Sequence, residues 1–88
     1  MKVLYQKRFL KELAALPAGP RKLVERFAFE EVPEAQSPAA VPGIQRLVGY
    51  PGFFKARFGD YRVGIRLSGD ELTFERVLHR REIYRKFP

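Results

Sequence analysis

The chain has 88 residues, of which 45% are hydrophobic, and 17 Lys and Arg against 10 Asp and Glu give it a net charge of +7. This length and composition indicate one small folded domain, and the absence of cysteine excludes disulfides and thiolate metal sites. No apolar run approaches the roughly 20 residues of a membrane span and the start is too polar for a signal peptide, so we expect a cytoplasmic protein without a membrane partner.

The first half of the chain predicts a strand followed by a helix hairpin. Residues 2–6 alternate and are rich in strand-forming side chains. Two stretches of helical periodicity follow, one stopped by Pro17 and the other running from Pro20 to Pro33. The apolar residues at helical spacing are Phe9, Leu10, Leu13 and Leu16 in the first helix, and Leu23, Val24, Phe27 and Ala28 in the second.

The second half predicts a meander of three strands. Residues 33–43 contain three prolines and predict a loop within the domain. The strands are residues 53–58, 61–67 and 72–79, joined by turns at 59–60 and 68–71, and a short helical or extended tail ends the chain. We therefore expect an α+β fold of order β-α-α-β-β-β plus tail, with an N-terminal helix hairpin packed on a small twisted antiparallel sheet.

The two-residue turn Gly59-Asp60 predicts the register of the first strand hairpin. It places Phe58 opposite Tyr61 and Arg57 opposite Arg62. One face of this hairpin is then apolar and belongs against the helices. The other face, called here the cationic face, carries Lys55, Arg57, Arg62 and Arg66, with Gly64 as an open gap.

Like charges directly opposite one another destabilise a sheet unless an anion lies between them. The cationic face therefore indicates an anion site, and the net charge of the chain favours a polyanionic partner such as nucleic acid. The alternative is that the long side chains extend separately into water and the charge only aids solubility.

Applied to the third strand, a four-residue turn at 68–71 predicts Leu67 opposite Leu72 and Arg62 opposite Val77. This register places Val77 and His79 on the cationic face, with Thr73 and Glu75. It also points Arg76 toward the core, which a bulge or an edge position would relieve.

The last ten residues contain the only histidine, His79, together with Arg80, Arg81 and Tyr84. We expect the tail to bring these residues to the end of the cationic face. Arginine forks suit phosphate, histidine transfers protons near neutral pH, and tyrosine offers both a stacking surface and a hydroxyl. The alternatives are a capping or packing role for His79 and a core anchor for Tyr84.

The segment FKARFGDYRVGIR followed by VLHRREIYR, behind a helix hairpin, resembles the RelE/ParE superfamily of bacterial toxins. The resemblance spans nearly the whole chain, so residues 1–88 are expected to form a single RelE-like toxin domain with the RelE-like microbial RNase fold. It implies a type II toxin that cleaves mRNA in the ribosomal A site without a metal ion or a cofactor. The RNA 2′-hydroxyl attacks the adjacent phosphate, leaving a 2′,3′-cyclic phosphate and a 5′-hydroxyl. The implied partners are mRNA, the ribosome and a cognate antitoxin that is acidic, partly disordered and DNA-binding.

The resemblance also implies roles for individual residues. Lys55 and Arg57 would stabilise the phosphate, Arg62 would hold it, and Tyr84 would stack on the nucleotide or activate the 2′-hydroxyl. Arginine is a poor base, so the general base stays open among His79, Lys55 and Tyr84. The full expected sets are Lys55, Arg57, Arg62, His79, Arg80 and Tyr84 for catalysis, and Arg66, Arg81 and Arg85 for RNA binding.

Two other functions stay open. A ParE-like toxin shares the fold but inhibits DNA gyrase without cutting RNA, and the joint presence of Arg57, Arg62, His79 and Tyr84 favours RNA cleavage over it. A protein that binds nucleic acid without cleaving it would show a steep salt dependence and produce no cuts.

Overall fold

A five-stranded sheet forms the centre of the fold in the computed structural model, which describes all residues from Met1 to Pro88. The strands are β1 (Lys2–Tyr5), β2 (Ile44–Arg46), β3 (Phe53–Phe58), β4 (Tyr61–Ser68) and β5 (Glu71–His79). Their order across the sheet is β1-β5-β4-β3-β2. The expected α+β class is confirmed. Strands β2 to β5 are antiparallel, whereas β1 pairs in parallel with β5, so the sheet is mixed.

The helices are α1 (Lys7–Ala14), α2 (Ala18–Arg26), α3 (Val32–Glu34) and α4 (Arg80–Lys86). A π-helical turn, Phe27–Glu31, joins α2 directly to α3. The predicted stop at Pro33 is therefore wrong, and the helix ends after Glu34. The wide turn before Pro33 makes room for a ring that would clash with a regular α-helical turn. None of the helices is both long enough and apolar enough to cross a membrane.

The core lies between the helices and one face of the sheet. Phe9, Leu13 and Leu16 are buried as the first helical pattern predicts, and Leu10 is exposed. In the second helix Leu23 is exposed as well, while Val32, beyond the predicted pattern, is fully buried. The sheet contributes its apolar face to this core through Ala56, Val63, Ile65, Leu72, Phe74 and Val77.

The register of the β3–β4 hairpin is confirmed at every predicted pair, from Phe58 opposite Tyr61 to Phe54 opposite Ile65. The register of β5 is right as far as Phe74 and wrong beyond it. A bulge at Gly64/Ile65 shifts the pairing by one residue, so that Leu78 rather than Val77 lies opposite Arg62.

A shift of one residue reverses the face to which each side chain points. Val77 therefore lies in the core, opposite Val63, and Arg76 lies opposite Gly64 on the cationic face. His79 lies opposite Tyr61, on the face away from the cations. The predicted placement of Val77 and His79 on the cationic face is thus wrong, because the bulge keeps a valine rather than an arginine in the core.

Side chains of α1 cover the edge of β5 that β1 leaves free. Strand β1 ends opposite Phe74, and beyond this point Arg8 and Glu12 of α1 form hydrogen bonds with the backbone of β5. The Glu12 carboxylate accepts the backbone N–H of Val77 at 3.1 Å and the Nε of Arg76 at 3.0 Å. The hydrogen bond to Glu12 raises the pKa of Arg76. The combination of bulge and edge position accommodates Arg76 outside the core.

Candidate functional site

The cationic face is divided by the C-terminal helix. Helix α4 starts directly after β5 and packs back over the sheet, where it buries Ile83 and is followed by the buried Phe87. The Phe87 ring lies on Gly64, since a Cβ added to this glycine would be 2.8 Å from three of its ring atoms. The ring also packs edge-on against Phe53 at 5.6 Å between centroids. The prediction that Gly64 leaves an open gap is therefore wrong. The Phe87 ring fills the space that a side chain at position 64 would occupy, and this contact is called here the seat of Phe87.

The part of the cationic face that α4 leaves uncovered is a groove of about 210 Å³. It is called here the cationic groove. Four elements converge on it, because β2, β3, β4 and α4 each contribute at least one side chain. The lining residues are Gln45, Lys55, Arg57, Arg62 and Tyr84.

Arg62 is held in a fixed position at the bottom of this groove. Only 8% of the residue is exposed. Its Nη1 donates to the carbonyl oxygen of Gly59 at 2.7 Å and to that of Tyr61 at 2.9 Å. These bonds anchor one end of the guanidinium to the β3–β4 turn. Its remaining nitrogens have no protein acceptor, so the planar fork is preorganised for an anion.

None of the ion pairs in the structure involves Lys55, Arg57 or Arg62. These three cations face one another on adjacent strands, with Arg57 directly opposite Arg62 and no carboxylate between them. Such an arrangement destabilises the isolated sheet and attracts an anion with several oxygens, of which phosphate is the commonest biological example.

Tyr84 forms the exposed wall of the cationic groove. It is 68% exposed, and the Lys55 Nζ lies 5.4 Å from the centre of its ring. This cation–π contact orients the ring above the strand. The exposure of the ring suits it to stacking on a planar ligand.

The remaining predicted residues lie outside this groove. His79 caps α4, because its Nδ1 accepts the backbone N–H of Arg81 at 3.2 Å, and its ring packs edge-on against Tyr61 at 5.6 Å. Arg80 lies beside the turn, where its N–H donates to the Asp60 carbonyl at 2.8 Å and its Nε is 3.8 Å from the Asp60 carboxylate. Arg81 and Arg85 are likewise exposed on α4 and line no part of the groove.

Arg66 is on the cationic face as expected, but its charge is compensated. Its Nε is 3.5 Å from the Glu75 carboxylate, which also pairs with Arg8 at 3.3 Å. Glu75 is the extra residue of the bulge and is itself buried, so the bulge brings a carboxylate to this end of the face. Arg66 therefore adds less to the positive potential than the other three cations.

Gln45 is the groove residue that the sequence did not indicate. It lies on β2, a strand of only three residues between Gly43 and Gly49 that the loop-like composition obscures. The available signal was the alternation of Ile44, Gln45 and Arg46, which pair with Ala56, Lys55 and Phe54 of β3.

A family model described as "ParE toxin of type II toxin-antitoxin system, parDE" matches residues 3–84. The chain is also 39% identical over 89 residues to Toxin RelE3 of Methanocaldococcus jannaschii, covering 100% of both sequences.

Two solved structures show the same fold. The first is a crystal structure of a RelB–RelE antitoxin–toxin complex from Methanococcus jannaschii, with a TM-score of 0.78, 34% identity, and coverage of 97% of this chain and 99% of that chain. The second is the RelBE2 toxin–antitoxin complex from Mycobacterium tuberculosis, with a TM-score of 0.66, 26% identity, and coverage of 89% and 95%.

Proposed function

The chain belongs to the RelE/ParE superfamily of type II toxin–antitoxin toxins, and from this premise we propose that it is an endoribonuclease that inhibits translation by cutting mRNA in the ribosomal A site. The observation that carries the proposal is the cationic groove, which contains Lys55, Arg57 and Arg62. None of these three cations forms an ion pair, and no carboxylate lines the groove. Inhibitory binding to a protein target does not require a preorganised phosphate site with an aromatic wall.

The proposed reaction is attack of the RNA 2′-hydroxyl on the neighbouring phosphate. Arg62 binds the phosphate from below, since its guanidinium is already anchored to two backbone carbonyls. Lys55 and Arg57 stabilise the additional negative charge that develops on the phosphoryl oxygens in the transition state. Preorganised donors of this kind act without further rearrangement during the reaction.

The proton of the 2′-hydroxyl must leave and the 5′-oxygen of the departing nucleotide must gain one. Lys55 and Tyr84 are the two groove residues with a side-chain proton that chemistry of this kind can use, and they touch each other through the cation–π contact. We assign the proton transfers to this pair, with the Tyr84 oxygen, as phenolate, accepting the proton of the 2′-hydroxyl and the Lys55 ammonium group donating a proton to the departing 5′-oxygen. His79 serves instead as the cap of α4, and Arg80 as a link between α4 and the turn at Asp60.

The proposed partners follow from the charge of the chain and from its relatives. The two solved structures described above are complexes of a toxin with its antitoxin. A net charge of +7 and a groove without carboxylates favour an acidic, partly disordered antitoxin that folds on binding and covers the groove. We propose that the free toxin acts in the cytoplasm, on message held by the ribosome.

The test is primer extension on ribosome-bound message with three proteins. The wild type should cut at defined codon positions, and Arg62→Ala should reduce the rate about 10²- to 10³-fold, as removal of one charge-stabilising donor does. Arg26→Ala is the matched control, since it removes the same charge from an exposed position on α2 and should cut like the wild type. Equal cutting by Arg62→Ala and the wild type would contradict the assignment of the groove.

Gyrase inhibition is the second candidate because the matching family model carries the name ParE. A folded wild-type protein that leaves ribosome-bound message intact but blocks DNA supercoiling would establish this function instead. In that case Arg62→Ala and Arg26→Ala should inhibit gyrase equally, unless the cationic groove also contacts the enzyme.

A further inference from the structure

A second cleft of about 310 Å³ adjoins the cationic groove on the other side of Lys55. It lies between α4 and the connection from β2 to β3, and it is called here the apolar slot. Five of its eight lining residues are hydrophobic, and the full set is Arg46, Leu47, Val48, Tyr50, Lys55, Tyr84, Phe87 and Pro88. Lys55 and Tyr84 line both the slot and the groove, so one molecule can occupy the two together.

The slot concentrates exposed apolar surface at one place. Val48 is 96% exposed, Tyr50 is 53% exposed, and Tyr84 forms the facing wall. Large side chains of this kind are usually buried, and a cluster of exposed ones beside a charged site marks a binding surface. The volume is at the lower end of the range for small-ligand sites, ~300–1,000 Å³.

The connection that carries Val48 and Tyr50 is an ordered structure. The Tyr50 N–H donates to the Leu47 carbonyl at 3.2 Å, and the Tyr50 carbonyl accepts the Phe53 N–H at 3.1 Å. Gly52 joins this turn to β4, since its carbonyl accepts the Leu67 N–H at 2.7 Å. The backbone at Gly52 has a φ of +83°, a conformation that favours glycine. Tyr50 is thus presented on a hydrogen-bonded turn.

We propose that the apolar slot binds one nucleobase of the RNA, next to the phosphate in the cationic groove, with Tyr50 as a stacking residue whose ring favours the bases that stack most strongly. This inference rests on the proposed function. A nucleotide joins a planar apolar base to an anionic phosphate, and the protein places an aromatic slot beside a cationic groove in the same way. Tyr84 contacts both parts, so the base and the phosphate belong to the same or neighbouring nucleotides.

The test uses ribosome-bound messages with a randomised segment, and the cut ends are sequenced. The wild type should show a base preference at one position flanking the cut. Tyr50→Ala should flatten this preference and lower kcat/KM about tenfold, as expected for the loss of one base–aromatic stack. Tyr50→Phe should behave like the wild type. Leu23→Ala, which removes an exposed apolar side chain from α2, is the matched control and should change neither quantity.

A message with a single abasic site at the preferred position distinguishes loss of the stack on Tyr50 from misfolding of the turn that carries Tyr50. It should slow the wild type to the rate of Tyr50→Ala and should slow Tyr50→Ala no further. A Tyr50→Ala protein with the wild-type rate and base preference would overturn the proposed base site, and the proposed nuclease function would be unaffected. If Tyr50→Ala keeps the wild-type base preference but binds the antitoxin more weakly, the proposal is also overturned, because the slot then binds an antitoxin side chain. Absence of cutting by the wild type would overturn both proposals.

Discussion

Replacement of Gly64 with alanine tests whether the seat of Phe87 controls the geometry of the cationic groove. The new Cβ would be 2.8 Å from three atoms of the Phe87 ring, whereas ordinary contacts begin at 3.4 Å. The ring must therefore retreat by at least the difference, 3.4 − 2.8 = 0.6 Å. The three nearest atoms all belong to this side chain, so the ring and not the backbone must move first.

The effect on stability is the balance of two opposing terms. Overpacking of a buried ring costs about 1–3 kcal/mol, and complete release of Phe87 from the sheet costs about 1.5–3 kcal/mol. Alanine is better than glycine in the middle of a strand by about 0.5–1 kcal/mol, which offsets part of this loss. We expect the free energy of unfolding to fall by about 1–2 kcal/mol.

The activity should fall together with the stability. Tyr84 precedes Phe87 by one helical turn, so a tail that lifts from Gly64 also carries Tyr84 away from Lys55. The cleavage rate should then fall at least tenfold under conditions in which the variant is fully folded, since one lost stack is worth ~1–3 kcal/mol.

The assays are urea unfolding and cleavage of ribosome-bound message. Gly19→Ala is the control, because no atom lies within 4 Å of its added Cβ. In a Phe87→Ala background, Gly64→Ala should cost no further stability, since the ring that supplies the three nearest atoms has been removed. Wild-type stability and wild-type cutting by Gly64→Ala would refute the reasoning.

Three further predictions follow from the contacts described above. Glu12→Ala should lower the free energy of unfolding by about 3 kcal/mol, because it leaves the largely buried Arg76 without its carboxylate partner; an unchanged thermal midpoint would contradict this. Burial raises the pKa of Tyr5 above 10.0, so the stability that its neutral phenol provides is intact below pH 10 and is lost as the pH rises through the folded-state pKa. Urea unfolding of Tyr5→Phe should accordingly show about 1 kcal/mol less stability at pH 7, from the lost bond to the Ala28 carbonyl, and a smaller decline above pH 10 than the wild type; parallel declines would refute the assignment. Arg57→Ala should reduce the slope of log K against log salt for single-stranded RNA by about 0.7, as expected for one lost phosphate contact, and an unchanged slope in a filter-binding titration would place Arg57 outside the interface.

Local rules in the sequence were sufficient to predict the β3–β4 hairpin that carries the three cations of the groove. The turn Gly59-Asp60 allows only one pairing of its flanking strands, so the opposition of Arg57 and Arg62 was predictable and is confirmed. Helical periodicity likewise identified Phe9, Leu13, Val24 and Phe27 as core residues, because 3.6-residue spacing places them on one face.

Features that depend on contacts between distant segments were not predictable from the sequence. The short strand β2 forms because β3 offers it an edge, and its own residues give little indication of a strand. The extension of the second helix past Pro33 depends on the π turn that precedes it. Neither feature has a strong local signal, because β2 depends on its pairing with β3 and the helix extension depends on the packing of Phe27, Ala28 and Val32 in the core.

The bulge in β5 had the greatest consequence for the site. The sequence placed His79 with the cations, because an unbroken two-residue period predicts that face, and it identified Arg76 as the residue that did not fit. Only the tertiary structure showed that Glu75 is accommodated as an extra residue, that Arg76 pairs with Glu12 across the edge, and that His79 turns away to cap α4. The sequence by itself therefore determined which cations face each other, because strand pairing is local. The tertiary structure decided which of these cations remain free to bind an anion, through the packing of α1 and α4 against the sheet. Burial and ion pairing could not be read from the sequence, because they are settled between distant parts of the chain.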